Sequence, residues 1–308
     1  MRIEKPLVTI VTITFNIIKS GRKDYFKQCL ESVHNQTYPN IEHLVVDGAS
    51  FDGTSDLIQE YADKGWVKYI CEPDTGIYDA MNKGIKNAKG KYIAFLHSDD
   101  FYHGNDGIEC TIAELEKTNA DFSYAPAVMM KKDGSYDYNN FYCKPQISVI
   151  FYCMPFCHQT MFTKRTVLLK ENMFNDNFKS AGDYDLIIRL CLNNYKSIFV
   201  DNLFTTFRDG GISANDNELS YREVWEAYYK NYNYLCSISI DECKNIYEKG
   251  YENIPLKLAV KLKLRNNYFN YYEYLANRIF IKKVISIIGF QIKKRLRQIL
   301  RKIYCFLK

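Results

Sequence analysis

No stretch of this 308-residue chain approaches the about 20 consecutive apolar residues that a membrane-spanning helix needs. Its ten cysteines are scattered without a C-x-x-C pair, the usage of reduced thiols serving as small apolar side chains. Cys153, Cys157 and His158 lie close together but lack a fourth ligand or a second cysteine pair at finger spacing, so they do not read as a zinc site. No G-x-G-x-x-G follows the first apolar strand, which argues against a dinucleotide oxidoreductase. The residues there, Asn16-Ile17-Ile18-Lys19-Ser20, are not the glycine-rich basic loop of a nucleotidyltransferase. A net charge of +5 is too small for this length to indicate a nucleic-acid partner. The first six residues carry no apolar signal-peptide core, and the expectation is a cytoplasmic protein.

What is present fits a globular chain: 47% apolar and 25% charged residues exclude disorder. The length suits one large α/β domain with an appendage, or two domains. Apolar, β-branched runs at 7–14, 41–47, 67–72 and 92–97 read as buried strands. Between them, 25–35, 54–62 and 77–88 carry apolar residues at helical spacing. This alternation predicts a parallel sheet of right-handed crossover units. The second half is less regular, with a helix over 108–118, strands over 122–130 and 135–142, a strand-like stretch over 155–162, a helix from about 183 and a strand within 197–207. From about residue 218 aromatic residues recur at helical spacing and read as packing.

The chain is organised around Tyr92 to Phe101, an apolar strand that ends in the adjacent carboxylates Asp99 and Asp100. Ligands of open α/β sheets sit outside the carboxyl ends of the parallel strands. Two neighbouring carboxylates repel each other and resist desolvation, costs that a bound Mg²⁺ or Mn²⁺ relieves. The pair therefore reads as a metal and nucleotide-phosphate site. The segment Gly48 to Thr54, dense in Gly, Ser and Asp, has the composition of a strand-to-helix loop that approaches a ligand closely. Asp74, Asp79, Asn82 and Lys83 share the polar face near the start of the 77–88 helix. His158 is either a hydrogen-bonded core histidine or a cleft residue. Asp183 or Asp185 is the natural carboxylate at the start of its helix. Arg208 opens a glycine-hinged loop, 208–213, of the kind that closes over a substrate.

The final segment, 281–308, sets an apolar stripe against Lys282, Lys283, Lys293, Lys294, Arg295, Arg297, Arg301 and Lys302, with no acidic residue. A basic amphipathic helix of this kind lies in the interface of an anionic bilayer; the alternative is a terminal helix docked on the protein.

Thr14-Phe15-Asn16, the run Val46 to Thr54, Leu96-His97-Ser98-Asp99-Asp100 and Gly182-Asp183-Tyr184-Asp185-Leu186 stand in the order and spacing typical of family 2 glycosyltransferases with the GT-A fold. The segment Glu72 to Gly84 resembles a signature of the bacterial polysaccharide-assembly members. The likeness covers roughly residues 6–213. It implies a Rossmann-like, mainly parallel sheet flanked by helices over 1–215, with a nucleotide-sugar half (1–103), an acceptor half (104–215) and a helical C-terminal extension (216–308). It further implies that Thr14, Phe15, Asn16, Asp47, Asp74, Asn82 and Asp99 hold the donor, that Asp100 with Asp99 holds Mn²⁺ or Mg²⁺, and that Asp183 is the catalytic base. His158, Asp185 and Arg208 are expected toward the acceptor or in a lid. Gly48 stands where many members carry a second Asp that contacts uracil, and His97 replaces the acidic or amide residue often found before the acidic pair. The implied activity is an inverting sugar transfer, from a nucleotide sugar to a lipid-linked saccharide, at the inner membrane face.

Overall fold

The runs of β-branched residues at 8–14 and 41–47 form neighbouring parallel strands in the computed structural model, which describes residues 5–137, 147–210, 217–250, 253–270 and 274. Strand and helix alternate as β1 (Val8–Thr14), α1 (Lys23–His34), β2 (Ile41–Asp47), α2 (Thr54–Asp63), β3 (Lys68–Cys71), α3 (Ile77–Asn87) and β4 (Tyr92–Phe95). β1 is buried along nearly its whole length, as expected of a central parallel strand covered on both faces. Its three threonines are nevertheless polar. Thr9 donates to Glu42 at 2.7 Å, Thr12 meets His43 at 2.9 Å and Thr14 donates to Asp47 at 2.9 Å, all on β2. A one-residue slip would strand these buried groups without partners, so the polar ladder fixes the register.

The chain continues through β5 (Phe101–Tyr102), α4 (Gly107–Thr118), β6 (Phe122–Tyr124), β7 (Ala127–Met130), β8 (Tyr136–Asp137), β9 (Phe162–Lys164), α5 (Arg165–Lys170), α6 (Gly182–Leu192), β10 (Ser197–Phe199) and β11 (Thr205–Arg208). The main sheet has the order β10-β6-β9-β4-β1-β2-β3, and a smaller one the order β5-β11-β7-β8. Among the described residues only β9 runs antiparallel to its neighbours in the main sheet. The sequence predicts one strand over 122–130. The structure breaks it at Ala125-Pro126 and sends β6 and β7 to different sheets, because Pro126 has no N–H to continue a central ladder. The strand-like reading of 155–162 is replaced by a 3₁₀ turn, His158–Thr160, leading into β9.

Among the described residues three further helices, Asn217–Asn233, Ile240–Lys249 and Leu256–Arg265, follow. Tyr228, Tyr232, Ile246, Leu258 and Leu262 join the same core cluster as Leu186, Ile187 and Leu190 of α6. The helices thus extend the core behind the last crossover. Among the described residues no helix is long and apolar enough to cross a membrane. The segment 281–308 lies outside the described residues.

Candidate active site

The strand order places β4 and β2 on opposite sides of β1, so the crossovers leave β1 in two directions and a crevice opens beyond its carboxyl end. A cavity of about 800 Å³ occupies that crevice. Thr14 and Phe15 line it from the end of β1, His97 to Asp100 from the turn after β4, Asp74 from the loop before α3, Asp183 from α6 and Arg208 from β11.

Asp100 is buried, with 3% exposure. Its Oδ2 accepts the side-chain amide of Gln159 at 2.9 Å and its Oδ1 accepts the backbone N–H of Arg208 at 2.9 Å. Burial, reinforced by the neighbouring charge of Asp99, pushes its carboxyl up to about 8, against the pull of those donors. Asp99 is more open, and the guanidinium of Arg22 stands 3.6 Å from its Oδ2.

Asp183 sits in the first turn of α6. Its Oδ1 accepts the N–H of Tyr184 at 2.8 Å and stands 3.2 Å from the hydroxyl of Tyr78, which also lies 2.8 Å from the carbonyl of Ser180. Burial lifts its carboxyl to about 6, while the Tyr184 and Tyr78 hydrogen bonds oppose that rise. A carboxylate so placed is a base near neutrality. Gly182 lets the Tyr78 ring lie against the helix start; a Cβ there would meet the ring at 2.8 Å.

The family described as Glycosyl transferase family 2 matches residues 9–172, more than half of the chain. The chain belongs to glycosyl transferase family 2. A putative teichuronic acid biosynthesis glycosyltransferase, TuaG of Bacillus subtilis, is 34% identical over 134 residues, which is 42% of this chain and 50% of that relative. The chain therefore spans half of that protein's length. Among solved structures, S. aureus TarS 1–349 in complex with UDP-GlcNAc superposes with a TM-score of 0.60 at 16% identity, covering 90% of this chain and 77% of that one. The Pyrobaculum calidifontis mannosyltransferase PcManGT, in complex with GDP-Man and Mn²⁺, gives 0.61 at 13% identity, covering 97% and 85%. These likenesses show the GT-A fold.

Several residues that the family resemblance points to are placed elsewhere. Asp47, expected at the donor, is fully buried. It accepts Thr14, the Ser50 N–H and the Ser50 hydroxyl at 2.6 to 2.9 Å, and so ties the loop after β2 to β1. Asn16 takes a left-handed backbone (φ 47°), which asparagine tolerates; its Oδ1 accepts Phe51 N–H at 3.2 Å, pinning the same loop. Asn82 is buried with its amide closed on the Phe174 backbone, donating at 2.9 Å and accepting at 3.0 Å, and does not line the cavity. Asp185 turns away from the cavity into an ion pair with Arg189 at 2.9 Å and a hydrogen bond from Asn231. It does not line the cavity.

Arg208 is no lid. It ends a paired strand, its guanidinium bonds the Asp99 carbonyl and Gln28, and it stacks over Tyr25 and Phe101. Residues 211–213 of the expected loop lie outside the described residues. His158 lines the cavity, but as a buried ring between Phe95 and Phe174, with burial pulling its pKa down to about 3.

Other residues emerge only in space. Gln159 is oriented by the Cys157 thiol, which donates to its Oε1 at 2.7 Å; the polar break in the 155–162 stretch was its signal. Arg22 and Lys179 bring cations to the cavity wall. A Cβ at Gly48 would stand 2.4 Å from Oδ2 of Asp74. The Asp74 carboxylate thus occupies the space that a side chain at position 48 would take.

The residues fit a divalent cation. Among the described residues no group of three or more His, Cys, Asp or Glu forms a closed protein cage. Two adjacent carboxylates, one of them buried against its neighbour's charge, are the sparse set that Mg²⁺ or Mn²⁺ completes with water and substrate phosphates.

Proposed function

We propose that this chain is an inverting, metal-dependent glycosyltransferase that moves a sugar from a UDP-sugar to a lipid-linked saccharide in cell-surface polysaccharide assembly. One observation carries the reading: the acidic pair Asp99-Asp100 and the base candidate Asp183 converge on a single cavity from opposite halves of the fold. The naming of TuaG and the nucleotide sugars bound by TarS and PcManGT support the substrate class.

Phe15, half exposed at the cavity mouth and edge-on to Phe51, offers a face for the nucleobase. Asp74 over Gly48 offers the carboxylate for its polar edge. Arg22 and Lys179 lie within reach of a diphosphate. Asp100, with Asp99, would hold the cation, which when bound stabilises charge on the departing diphosphate. Asp183 takes the proton of the acceptor hydroxyl as its oxygen attacks the anomeric carbon opposite the leaving group. One displacement with one base gives inversion. Residues 1–103 form the donor half, 104–215 the acceptor half and 216–308 an extension whose basic tail meets the inner membrane face.

The test pairs binding with turnover. A thermal-shift panel of UDP- and GDP-sugars with and without Mn²⁺ should single out a UDP-sugar, since a ligand of the native state raises its melting temperature. Asp183→Asn should keep that shift and lower release of the nucleoside diphosphate by about a hundredfold or more. Donor binding without any turnover in the unaltered protein would instead identify an inactive assembly partner.

A further inference from the structure

Helix Asn217–Asn233 lies beyond the region that matches the family, yet one of its side chains reaches the entrance of α6. Glu223 is 4% exposed. Its Oε1 accepts the N–H of Lys179 at 2.8 Å, and its Oε2 accepts those of Ser180 at 2.7 Å and Ala181 at 2.9 Å. These are the three residues that lead into Gly182 and Asp183. Farther along the same helix face, the Tyr228 hydroxyl meets that of Tyr184 at 2.6 Å and Asn231 donates to Asp185 at 2.9 Å. The helix therefore grips α6 at its entry and on the two residues after Asp183.

A buried carboxylate is costly unless charged hydrogen bonds compensate it, and three convergent backbone donors do so. Those donors carry no information about side chains; what they fix is the path of the backbone. We propose that Glu223 is a positioning residue of the transfer reaction, holding segment 179–181 so that Asp183 faces the cavity at the height of the reacting carbon. The inference rests on Asp183 being the base.

Charge adds a second effect. The groups facing Asp183 are Tyr78 from α3, Cys157 from the turn before His158, Lys179 from the entering loop and Glu223. Burial is the main reason that the Asp183 carboxyl is raised, and the Glu223 charge acts in the same direction. Removing that charge lowers the pKa of Asp183. Glu223→Asp, which shortens the brace but keeps the charge, separates this effect from misplacement alone.

The test uses the full chain with Mn²⁺ and reads release of the nucleoside diphosphate from UDP-GlcNAc, UDP-glucose, UDP-galactose and GDP-mannose across pH. Glu223→Gln should lower kcat roughly tenfold or more through misplacement of the base. It should also move the acidic limb of the kcat profile to lower pH and leave donor KM unchanged. Glu223→Asp keeps the charge but shortens the reach, so kcat should fall with the limb in place; it carries the test if Glu223→Gln does not fold. If Asp183→Asn abolishes turnover while neither Glu223 variant alters kcat or the limb, the positioning role is overturned and the base assignment stands. If Asp183→Asn turns over normally, or the unaltered chain releases no diphosphate, the base assignment falls and this inference with it.

Discussion

The side-chain amide of Gln159 donates to Oδ2 of Asp100 at 2.9 Å, while its carbonyl end is fixed by the Cys157 thiol. Proton and cation compete for the same carboxylate, and this hydrogen bond favours the charged form that a cation needs. Gln159→Leu removes the donor at little cost in volume. The Mn²⁺ concentration for half-maximal diphosphate release should rise about tenfold, as for partners that orient metal ligands. A Mn²⁺ titration that superposes on that of the unaltered protein would remove Gln159 from the metal site.

The pH dependence follows from Asp183. With burial holding its carboxyl at about 6, the charged, proton-accepting form is lost as pH falls below that value, and kcat should fall with it. Tyr78→Phe deletes a donor to Oδ1 that favours the charged form. Its acidic limb should therefore move to higher pH, opposite to the shift expected for Glu223→Gln. A limb that stays put would mean that the Tyr78 hydroxyl spends its proton on the Ser180 carbonyl, the competing acceptor at 2.8 Å.

Asp185 separates stability from catalysis. Its carboxylate is fully buried between Arg189 and Asn231, and breaking a buried pair leaves a charge uncompensated. Asp185→Ala should cost roughly 3 kcal/mol of stability, seen as a lower denaturation midpoint, with kcat near the original value below the transition. Lost turnover at an unchanged midpoint would restore Asp185 to the acceptor site.

These residues also show what the sequence discloses. The first half was legible because β1, β2 and β4 are buried strands rich in β-branched and apolar residues, and because Asp99 and Asp100 are adjacent in the chain. The second half was legible in its helices over 108–118 and from about 183 but not in its strands, since β6, β7, β10 and β11 span three or four residues each and the chain changes sheet between β6 and β7 and between β10 and β11. Asp47, Asn82 and Asp185 have residue types suited to a site, but their partners at Ser50, Phe174 and Arg189 spend them on structure. Gln159 and Glu223 act across 59 and 43 residues of chain. No local pattern marks such contacts.

The basic tail carries a prediction from sequence alone. Segment 281–308 has no acidic residue to offset its lysines and arginines, and each basic residue near an anionic surface contributes about 1 kcal/mol. Sedimentation with phosphatidylglycerol vesicles should retain the full chain at low salt and release it at high salt, while deletion of 281–308 should abolish retention. Equal binding by the truncated protein would place the membrane contact elsewhere or dismiss it.

Asp100 links metal, pH and stability with a definite sign. Its folded pKa, about 8, lies above the ordinary carboxylate value because burial and Asp99 disfavour the charge. A group raised on folding contributes stability that is complete below its unfolded pKa, near 4, and is lost as pH rises through the folded value. In EDTA the melting temperature should thus decline between about pH 4 and 8, and Asp100→Asn, which carries no charge to bury, should melt higher than the unaltered chain at pH 8. Mn²⁺ with a UDP-sugar should restore the melting temperature of the unaltered chain at that pH and leave Asp100→Asn unmoved and without turnover. An Asp100→Asn variant that melts lower in EDTA, or that still responds to Mn²⁺, would show that the buried carboxylate is a structural anchor for Gln159 and Arg208 and not the seat of the cation.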